Sequence, residues 1–573
     1  MNDSQAQDTG WRWRSVAALA TFVLAALVLL GRAVYLQVVD RQFLQAQGKE
    51  RHLRVVEVAA HRGMILDRNG EPLAVSTPVD SLWMNPQELA AAKSDLPALA
   101  GALKLSVPDL ETLLRQNADK EFVYLARGMD PYQAGKIMAL DIPGVYTQRE
   151  YRRYYPTGEV TAHVLGFTNV DDRGQEGLEL GYNDWLRGVP GAERVIVDRF
   201  GHSVQDVENV RAPRPGKDLV TSIDLRVQYL AYRALKQAVL QQNAKSGSII
   251  VMDVKTGEVL AMANQPSFNP NNRDDYQGNL YRNRAVTDQF EPGSSMKPFT
   301  IVAALLSGRY QPGSIVNTSP GFYKVSGYTI HDEHDYGAIN LTTIIEKSSN
   351  VGASKVALSL QPQLLWNTLN AFGFGHSTGS GFPGEVGGLL PAWQGWSRAR
   401  QATISYGYGV AITALQLADA YDTLAGGGIR RAPSFVKLEQ APAGTRVIPA
   451  GIANTLRGML ETVVSDAGTG ERADVLGYHV AGKTGTAHIA VNGGYSPENY
   501  ISVFAGMAPA THPRLVTVVV IRDPGKGEYY ASTVAAPVFS QVMTGALRLL
   551  DIPPDDLSHL TTTAYVVNLR HPS

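Results

Sequence analysis

Apolar and polar residues follow three different rhythms along this chain. The first is an unbroken apolar run: Ser15 to Gly31 reads SVAALATFVLAALVLLG, 17 residues without a charge. That length is at the lower limit for a bilayer-spanning helix. If the Arg32 side chain reaches out to the interface, Ala33-Val34-Tyr35-Leu36 extend it. Trp11, Trp13 and Tyr35 stand where interfacial aromatics belong. A cleaved leader is the competing reading, with Gly31-Arg32-Ala33 as a small-x-small site. The run is longer than a usual leader core, however, and no clean A-x-A follows. The pattern predicts an uncleaved anchor over 15–37, preceded by a short cytoplasmic tail over 1–14.

The second rhythm is helical. Apolar spacing predicts helices over about 96–105 and 108–116, then over 225–241, 295–306, 342–359 and 414–424. The third is strand-like, over 480–487, 501–505 and 515–521. Two further β-rich runs, Ser248–Met252 and Val259–Met262, flank Lys255-Thr256-Gly257 and read as a hairpin. Two early strands, a helical middle and late strands predict an α+β domain whose late strands complete the sheet begun by the early ones. Arg211-Ala212-Pro213-Arg214-Pro215-Gly216 reads as an extended linker, because proline restricts itself and its predecessor. The expected organisation is therefore a mixed, rather polar domain over 38–212, a second domain over 217–551 and a polar tail over 552–573.

Bulk properties narrow the picture. At 573 residues the chain exceeds one ordinary domain. Its 52 basic and 53 acidic side chains leave a net charge of −1, so no positive field argues for nucleic acid. There are no cysteines, which excludes disulfides, thiolate metal sites and cysteine nucleophiles.

Three short motifs carry candidate chemistry: Ser294-Ser295-Met296-Lys297, Ser348-Ser349-Asn350 and Lys483-Thr484-Gly485-Thr486. They lie 54 and 135 residues apart, far enough for a folded domain to bring them together. Decoys show why order matters. Ser434-Phe435-Val436-Lys437 is a second S-x-x-K, in a strand-like stretch with no S-x-N between it and Lys483. Ser267-Phe268-Asn269 precedes any S-x-x-K, and Lys255-Thr256-Gly257 is turn chemistry.

These residue types suit acyl transfer. A serine hydroxyl is a poor nucleophile until a base takes its proton. Ser294 begins a helix after a Pro292-Gly293 turn, where the helix end and backbone N–H groups favour an oxyanion. Lys297 lies on the same face one turn on. Burial and a second cation, Lys483, would depress its pKa and let it act as a base. Ser348 can relay a proton between Lys297 and an amine, and Asn350 can bind a substrate amide. On the strand, Lys483 and Gly485 share one face, and Thr484 and Thr486 the other. Gly485 is expected to admit a substrate backbone, the hydroxyls to meet a terminal carboxylate, and the Thr486 N–H to add an oxyanion donor.

The ordered set is that of penicillin-binding proteins and serine β-lactamases. Longer strings make the resemblance specific: Arg62-Gly63 through Asp67-Arg68-Asn69-Gly70-Glu71-Pro72, Arg153-Tyr154-Tyr155-Pro156, Gly174-Gln175-Glu176-Gly177-Leu178-Glu179, Arg282-Asn283-Arg284-Ala285, and Tyr406-Gly407-Tyr408-Gly409. Over nearly its whole length the chain resembles the class B penicillin-binding proteins, specifically the septal D,D-transpeptidases of Gram-negative bacteria. The resemblance implies a penicillin-binding transpeptidase domain, a sheet flanked by helices as in serine β-lactamases, on an elongated non-catalytic pedestal of dimerisation type. It implies that Ser294 attacks a D-Ala-D-Ala stem peptide, releases the last D-Ala and passes the acyl group to an amine of a neighbouring stem. It implies trapping by β-lactams, a polytopic glycan polymerase and other division proteins as partners, and a catalytic domain on the periplasmic side of the inner membrane. Charges flanking the anchor do not themselves set that orientation. Tyr406 and Tyr408 are candidates to line the pocket, with a core role as the alternative.

Other features carry no function in this reading. His331-Asp332-Glu333-His334-Asp335 is expected to be a solvated loop, and no metal or cofactor is expected. Gly379-Ser380-Gly381-Phe382-Pro383-Gly384 matches a dinucleotide fingerprint only literally, without its strand and helix. His163 is expected to be structural, and Lys526–Tyr530 a variable loop near the site. Two other functions compete. A D,D-carboxypeptidase or β-lactamase would need a positioned water, and no E-x-x-L-N pattern follows Asn350. A membrane scaffold would have no need of Lys297, Ser348 and Lys483 together, and a β-lactam sensor would be expected to carry a cytoplasmic effector, where only 14 residues precede the anchor.

Overall fold

The computed structural model describes residues 4–39, 53–197, 203–272, 278–491 and 494–557. The tail expected over 552–573 lies outside the described residues beyond Leu557. Contacts divide the chain into two units that interleave in sequence: Met1–His61, Pro78–Tyr151 and Gly188–Pro215 form one, and Arg62–Thr77, Arg152–Arg187 and Gly216–Ser573 the other.

In the first unit, Gly191–Val197 is the middle strand of a three-stranded antiparallel sheet with Leu53–Val58 and Ser203–Arg211. A separate small core gathers Leu82, Met84, Leu99, Leu110 and Ile137. Helices Leu96–Leu103 and Val107–Gln116 supply part of it, close to their predicted bounds. The second starts where it does because the Ser106 hydroxyl accepts the Asp109 N–H at 3.2 Å, with Pro108 in the first turn. The N-terminal helix Ser4–Val34 contains most of a 23-residue segment, Val16–Val38, of mean hydropathy 2.2 whose side chains are exposed. It is long and apolar enough to cross a membrane.

The second unit is built on five antiparallel strands: β1 (Ser246–Asp253), β2 (Val259–Gln265), β3 (Ala481–Val491), β4 (Gly494–Ala508) and β5 (Leu515–Arg522). Their order is β2-β1-β5-β4-β3, so the late strands do extend the early hairpin and β3 is an edge. β1 and β5 are buried almost throughout instead of alternating, because both sheet faces are covered. Ile250, Met252 and Val518 face one core and Ile249, Val251 and Val519 the other. Helices α1 (Leu225–Gln241) and α5 (Ala536–Leu549) cover the second face, while α4 (Ala414–Ala425) packs on the first. α1 matches its predicted span, and Asp224 caps it by accepting the Arg226 N–H at 3.0 Å. The two remaining helices named below are α2 (Lys297–Leu306) and α3 (Asn350–Ser359).

An ion network ties distant parts of this unit together. Glu179 accepts from Arg62 Nε at 2.8 Å and from Arg153 Nε at 2.6 Å, and all three side chains are fully buried. The Arg62, Arg153 and Gly174–Glu179 strings quoted above thus meet in one place. Both Glu179 oxygens are paired with a guanidinium, which offsets the cost of burying the carboxylate, while Arg153 Nη2 is left buried without a hydrogen-bond partner among the described residues.

Candidate active site

Ser294 sits in a single 3-10 turn, Gly293–Met296, that opens directly into α2. The turn lies against β3. Gly293 has φ +55°, and a Cβ there would come 3.2 Å from the Thr486 carbonyl oxygen. From the strand side, a Cβ on Gly485 would lie 2.7 Å from the Pro292 carbonyl oxygen. The side-chain space of Gly485 is thus taken by the turn that carries Ser294. Gly407 makes the same close approach from the Tyr406–Gly409 loop, where a Cβ would be 2.2 Å from the Gly293 carbonyl oxygen. Glu291 fastens that loop by accepting the Gly409 N–H at 2.7 Å.

Lys297, the first residue of α2, is fully buried. Its Nζ is 2.9 Å from Ser294 Oγ and 3.0 Å from Ser348 Oγ, and it also donates to the Ser348 carbonyl oxygen. Burial first, and the Lys483 charge second, hold its pKa well below the ordinary lysine range, while Asp332 and Glu333 pull the other way. Lys483 is also fully buried, and burial lowers its pKa to about 7, with Glu333 again opposing. Burial and the Lys483 charge disfavour the protonated form of Lys297, which leaves its amine able to accept a proton.

The helix predicted over 342–359 is two helices. Leu341–Glu346 ends, Ser348 adopts φ +58°, and α3 begins at Asn350. The break is a capping event: Ser349 Oγ accepts the Gly352 N–H at 2.8 Å. Apolar spacing continues across the break, which is why periodicity alone missed it. The left-handed backbone at Ser348 is a strained conformation for a serine, and it turns both its hydroxyl and its carbonyl toward Lys297.

Asp332 holds this arrangement in place. One carboxylate oxygen accepts the Ser349 hydroxyl at 2.6 Å; the other accepts the Asn350 and Val351 N–H groups at 2.5 and 3.0 Å. Its loop is therefore not simply solvated, as the sequence led us to expect. Asn350 Nδ2 donates to the His331 carbonyl at 3.1 Å, which leaves its amide oxygen and second hydrogen for a ligand.

On β3 the two threonine hydroxyls have partners. Thr484 Oγ1 is 2.8 Å from Thr469 Oγ1, and Thr486 Oγ1 accepts the Ala531 N–H at 3.1 Å, leaving its own O–H to donate. Tyr406 is buried among Val325, Ile330, Val351 and Ala402. Tyr408 is half-buried, and its hydroxyl accepts the His488 N–H of β3 at 3.2 Å. Tyr529 and Tyr530 have no individual role in the sequence reading. Tyr529 stacks on Tyr500 with ring centroids 3.9 Å apart, and Tyr530 on Tyr529 at 4.7 Å, forming an aromatic row that continues from His488. The signal was the Tyr529-Tyr530 pair itself, but nothing local says that it meets Tyr500.

The remaining motifs are structural. Ser434 Oγ donates to the Val436 carbonyl, and Lys437 Nζ to the Arg68 carbonyl at 2.9 Å. His163 is buried with Nε2 2.8 Å from the Leu280 carbonyl oxygen.

Comparison with known proteins agrees with this geometry. Residues 247–544 match the penicillin-binding protein transpeptidase domain, and 57–221 the penicillin-binding protein dimerisation domain. The chain is 45% identical to the probable peptidoglycan D,D-transpeptidase PbpC of Pseudomonas aeruginosa, over 95% of this chain and 96% of that one. It is 43% identical to the peptidoglycan D,D-transpeptidase FtsI of Escherichia coli K12, over 97% and 95%. Among solved structures, penicillin-binding protein 3 of Mycobacterium tuberculosis, complexed with aztreonam, superposes with a TM-score of 0.68 at 29% identity, covering 87% of this chain and 98% of that one. The transpeptidase domain of Burkholderia pseudomallei penicillin-binding protein 3 gives 0.55 at 41% identity, over 58% and 97%.

Proposed function

The chain belongs to the class B penicillin-binding proteins, the peptidoglycan D,D-transpeptidases with a penicillin-binding transpeptidase domain, and from that premise we propose how its own residues do the work. Ser294 is the nucleophile, Lys297 its base, Ser348 the proton relay and Asn350 a donor-peptide ligand. Lys483 keeps Lys297 uncharged and helps hold the substrate carboxylate with the Thr484 and Thr486 hydroxyls, while the backbone at Gly485 and Thr486 lines the donor. The observation that carries this reading is that one buried amine, Lys297 Nζ, lies within hydrogen-bond distance of both serine hydroxyls.

The chemistry then follows in balance. Ser294 Oγ attacks the carbonyl of the penultimate D-Ala while Lys297 takes its proton. The peptide C–N bond breaks, and the departing terminal D-Ala takes a proton relayed through Ser348. In the second half an acceptor amine attacks the ester carbonyl, gives up a proton along the same route, and Ser294 leaves reprotonated. β3 is an edge strand, which suits a donor peptide lying along it as an added strand. A β-lactam presents the same acyl carbon and leaves Ser294 esterified.

We place the catalytic domain, residues 217–551, in the periplasm, anchored in the inner membrane by the helix around Val16–Val38, with a non-catalytic dimerisation-type domain over 38–212. We assign the enzyme to the division septum, with a polytopic glycan polymerase and other division proteins as partners. The FtsI relatives support that assignment. The test is the reaction itself: the full chain should join a D-Ala-D-Ala stem peptide to an amine acceptor with loss of one D-Ala, and Ser294→Ala should release none. Accumulation of trimmed, unjoined donor would instead favour the carboxypeptidase reading. For the cellular role, a fluorescent fusion should collect at midcell during constriction, and an even distribution along the envelope would contradict the septal assignment.

A further inference from the structure

The loop after the Tyr328–His331 strand carries three carboxylates with different employment. Asp332 is committed to Ser349, Asn350 and Val351. Asp335 accepts the Ser319 hydroxyl at 3.0 Å and the Gly337 N–H at 2.9 Å. Glu333, between them, is exposed and makes neither a hydrogen bond nor an ion pair among the described residues. Nothing in the fold uses it, yet its place is tightly fixed, because its neighbour is fastened to the start of α3 and the loop's His331 carbonyl is bound by Asn350. Its charge acts on Lys297 and Lys483 at the base of the site, on Tyr336 beside it and on Tyr530 in the aromatic row.

The second substrate of this reaction is an amine, which arrives in water as an ammonium ion. The acyl group waiting on Ser294 is an uncharged ester. The nearby Asp332 carboxylate is already engaged by Ser349, Asn350 and Val351, which leaves Glu333 to meet an entering cation. We infer that Glu333 selects the acceptor: its carboxylate attracts the ammonium group of the incoming stem peptide to the Ser348–Asn350 side of the site. It is a positioning residue, remote from the bonds that change. The same carboxylate opposes the approach of anionic β-lactams. This inference rests on the acyl-enzyme reading of the same site.

The test compares the native chain with Glu333→Gln and Glu333→Lys. Each is loaded with an acyl-D-alanyl thioester donor, and the acyl-enzyme is divided between two nucleophiles: a D-amino acid amide, which is largely cationic at pH 7.5 and carries no carboxylate, and hydroxylamine, which is mostly neutral there. The ratio of the two products reports acceptor charge and cancels any general loss of activity. It should fall about two- to fivefold in Glu333→Gln, the range of an exposed charge pair, and further in Glu333→Lys. Raising the salt concentration should bring the native ratio toward that of the Gln variant, because exposed charges are screened. An acyl-enzyme that forms in all three chains with an unchanged ratio would overturn the role of Glu333 alone. Failure of the native chain to form an acyl-enzyme would overturn the nucleophile assignment, and this inference with it.

Discussion

The Asp332 carboxylate and the Ser349 hydroxyl, 2.6 Å apart, join the loop at the mouth of the site to the element that carries Ser348. Asp332 reaches no reacting atom. It fixes the start of α3, and with it the left-handed turn at Ser348. Asp332→Ala should therefore slow acylation by benzylpenicillin about tenfold, or about 1.4 kcal/mol of barrier. The cost to stability should be that of a lost helix cap, about 1 kcal/mol. Stopped-flow acylation and thermal melting measure the two. Unchanged acylation with the same loss of stability would reduce Asp332 to a cap.

Removing the Lys483 charge should move the acid limb of the acylation profile. Lys297 is held below the ordinary lysine range by burial and then by Lys483. As pH falls through its pKa, Lys297 gains a proton and can no longer act as a base. In Lys483→Met one cause of the depression is gone, Lys297 holds its proton to higher pH, and the limb shifts upward. A limb shifted downward, or one that did not move, would show that Lys483 exerts no such field.

Gly485→Ala tests the contact between β3 and the nucleophile turn. The added methyl would sit 2.7 Å from the Pro292 carbonyl oxygen, a backbone atom that cannot swing aside. Acylation should fall by more than about tenfold as the turn is displaced, a modest geometric error being costly in catalysis. Gly451→Ala, in a helix with open space around it, is the matched control and should leave acylation alone. Equal rates in both variants would remove the packing argument.

Glu179→Gln leaves Arg62 and Arg153 buried with an uncharged partner. Breaking a buried ion network in this way costs about 3–5 kcal/mol, against a typical domain stability of about 5–15 kcal/mol. The urea midpoint should fall steeply. A shift below about 1 kcal/mol would mean that water reaches the arginines.

How much of this was legible in the sequence depended on how local the physics is. α1 and the hairpin around Gly257 were readable because apolar spacing and turn chemistry are local signals. The meeting of Lys297 with Ser294 and Ser348 could be expected from the sequence, because acyl transfer calls for those residue types in that order. The break at Ser348 was written in the sequence as a Ser-Ser-Asn cap, but apolar periodicity ran through it and hid it. Asp332 could not be found, since a carboxylate in a polar loop looks solvated until Ser349 is seen 2.6 Å away. Glu179 could not be paired with an arginine 117 residues earlier by any local rule. Gly485 was expected to admit a substrate backbone; that the Gly293–Met296 turn fills its side-chain space is a contact between distant segments that no local rule gives.

The whole mechanism depends on a long-lived acyl-enzyme at Ser294. Intact-protein mass after incubation with benzylpenicillin, on the native chain and on Ser294→Ala, shows whether it forms. One added penicilloyl mass is expected on the native chain, persisting for many minutes, and none on the variant. An adduct on Ser294→Ala, or no adduct on either chain, would contradict it.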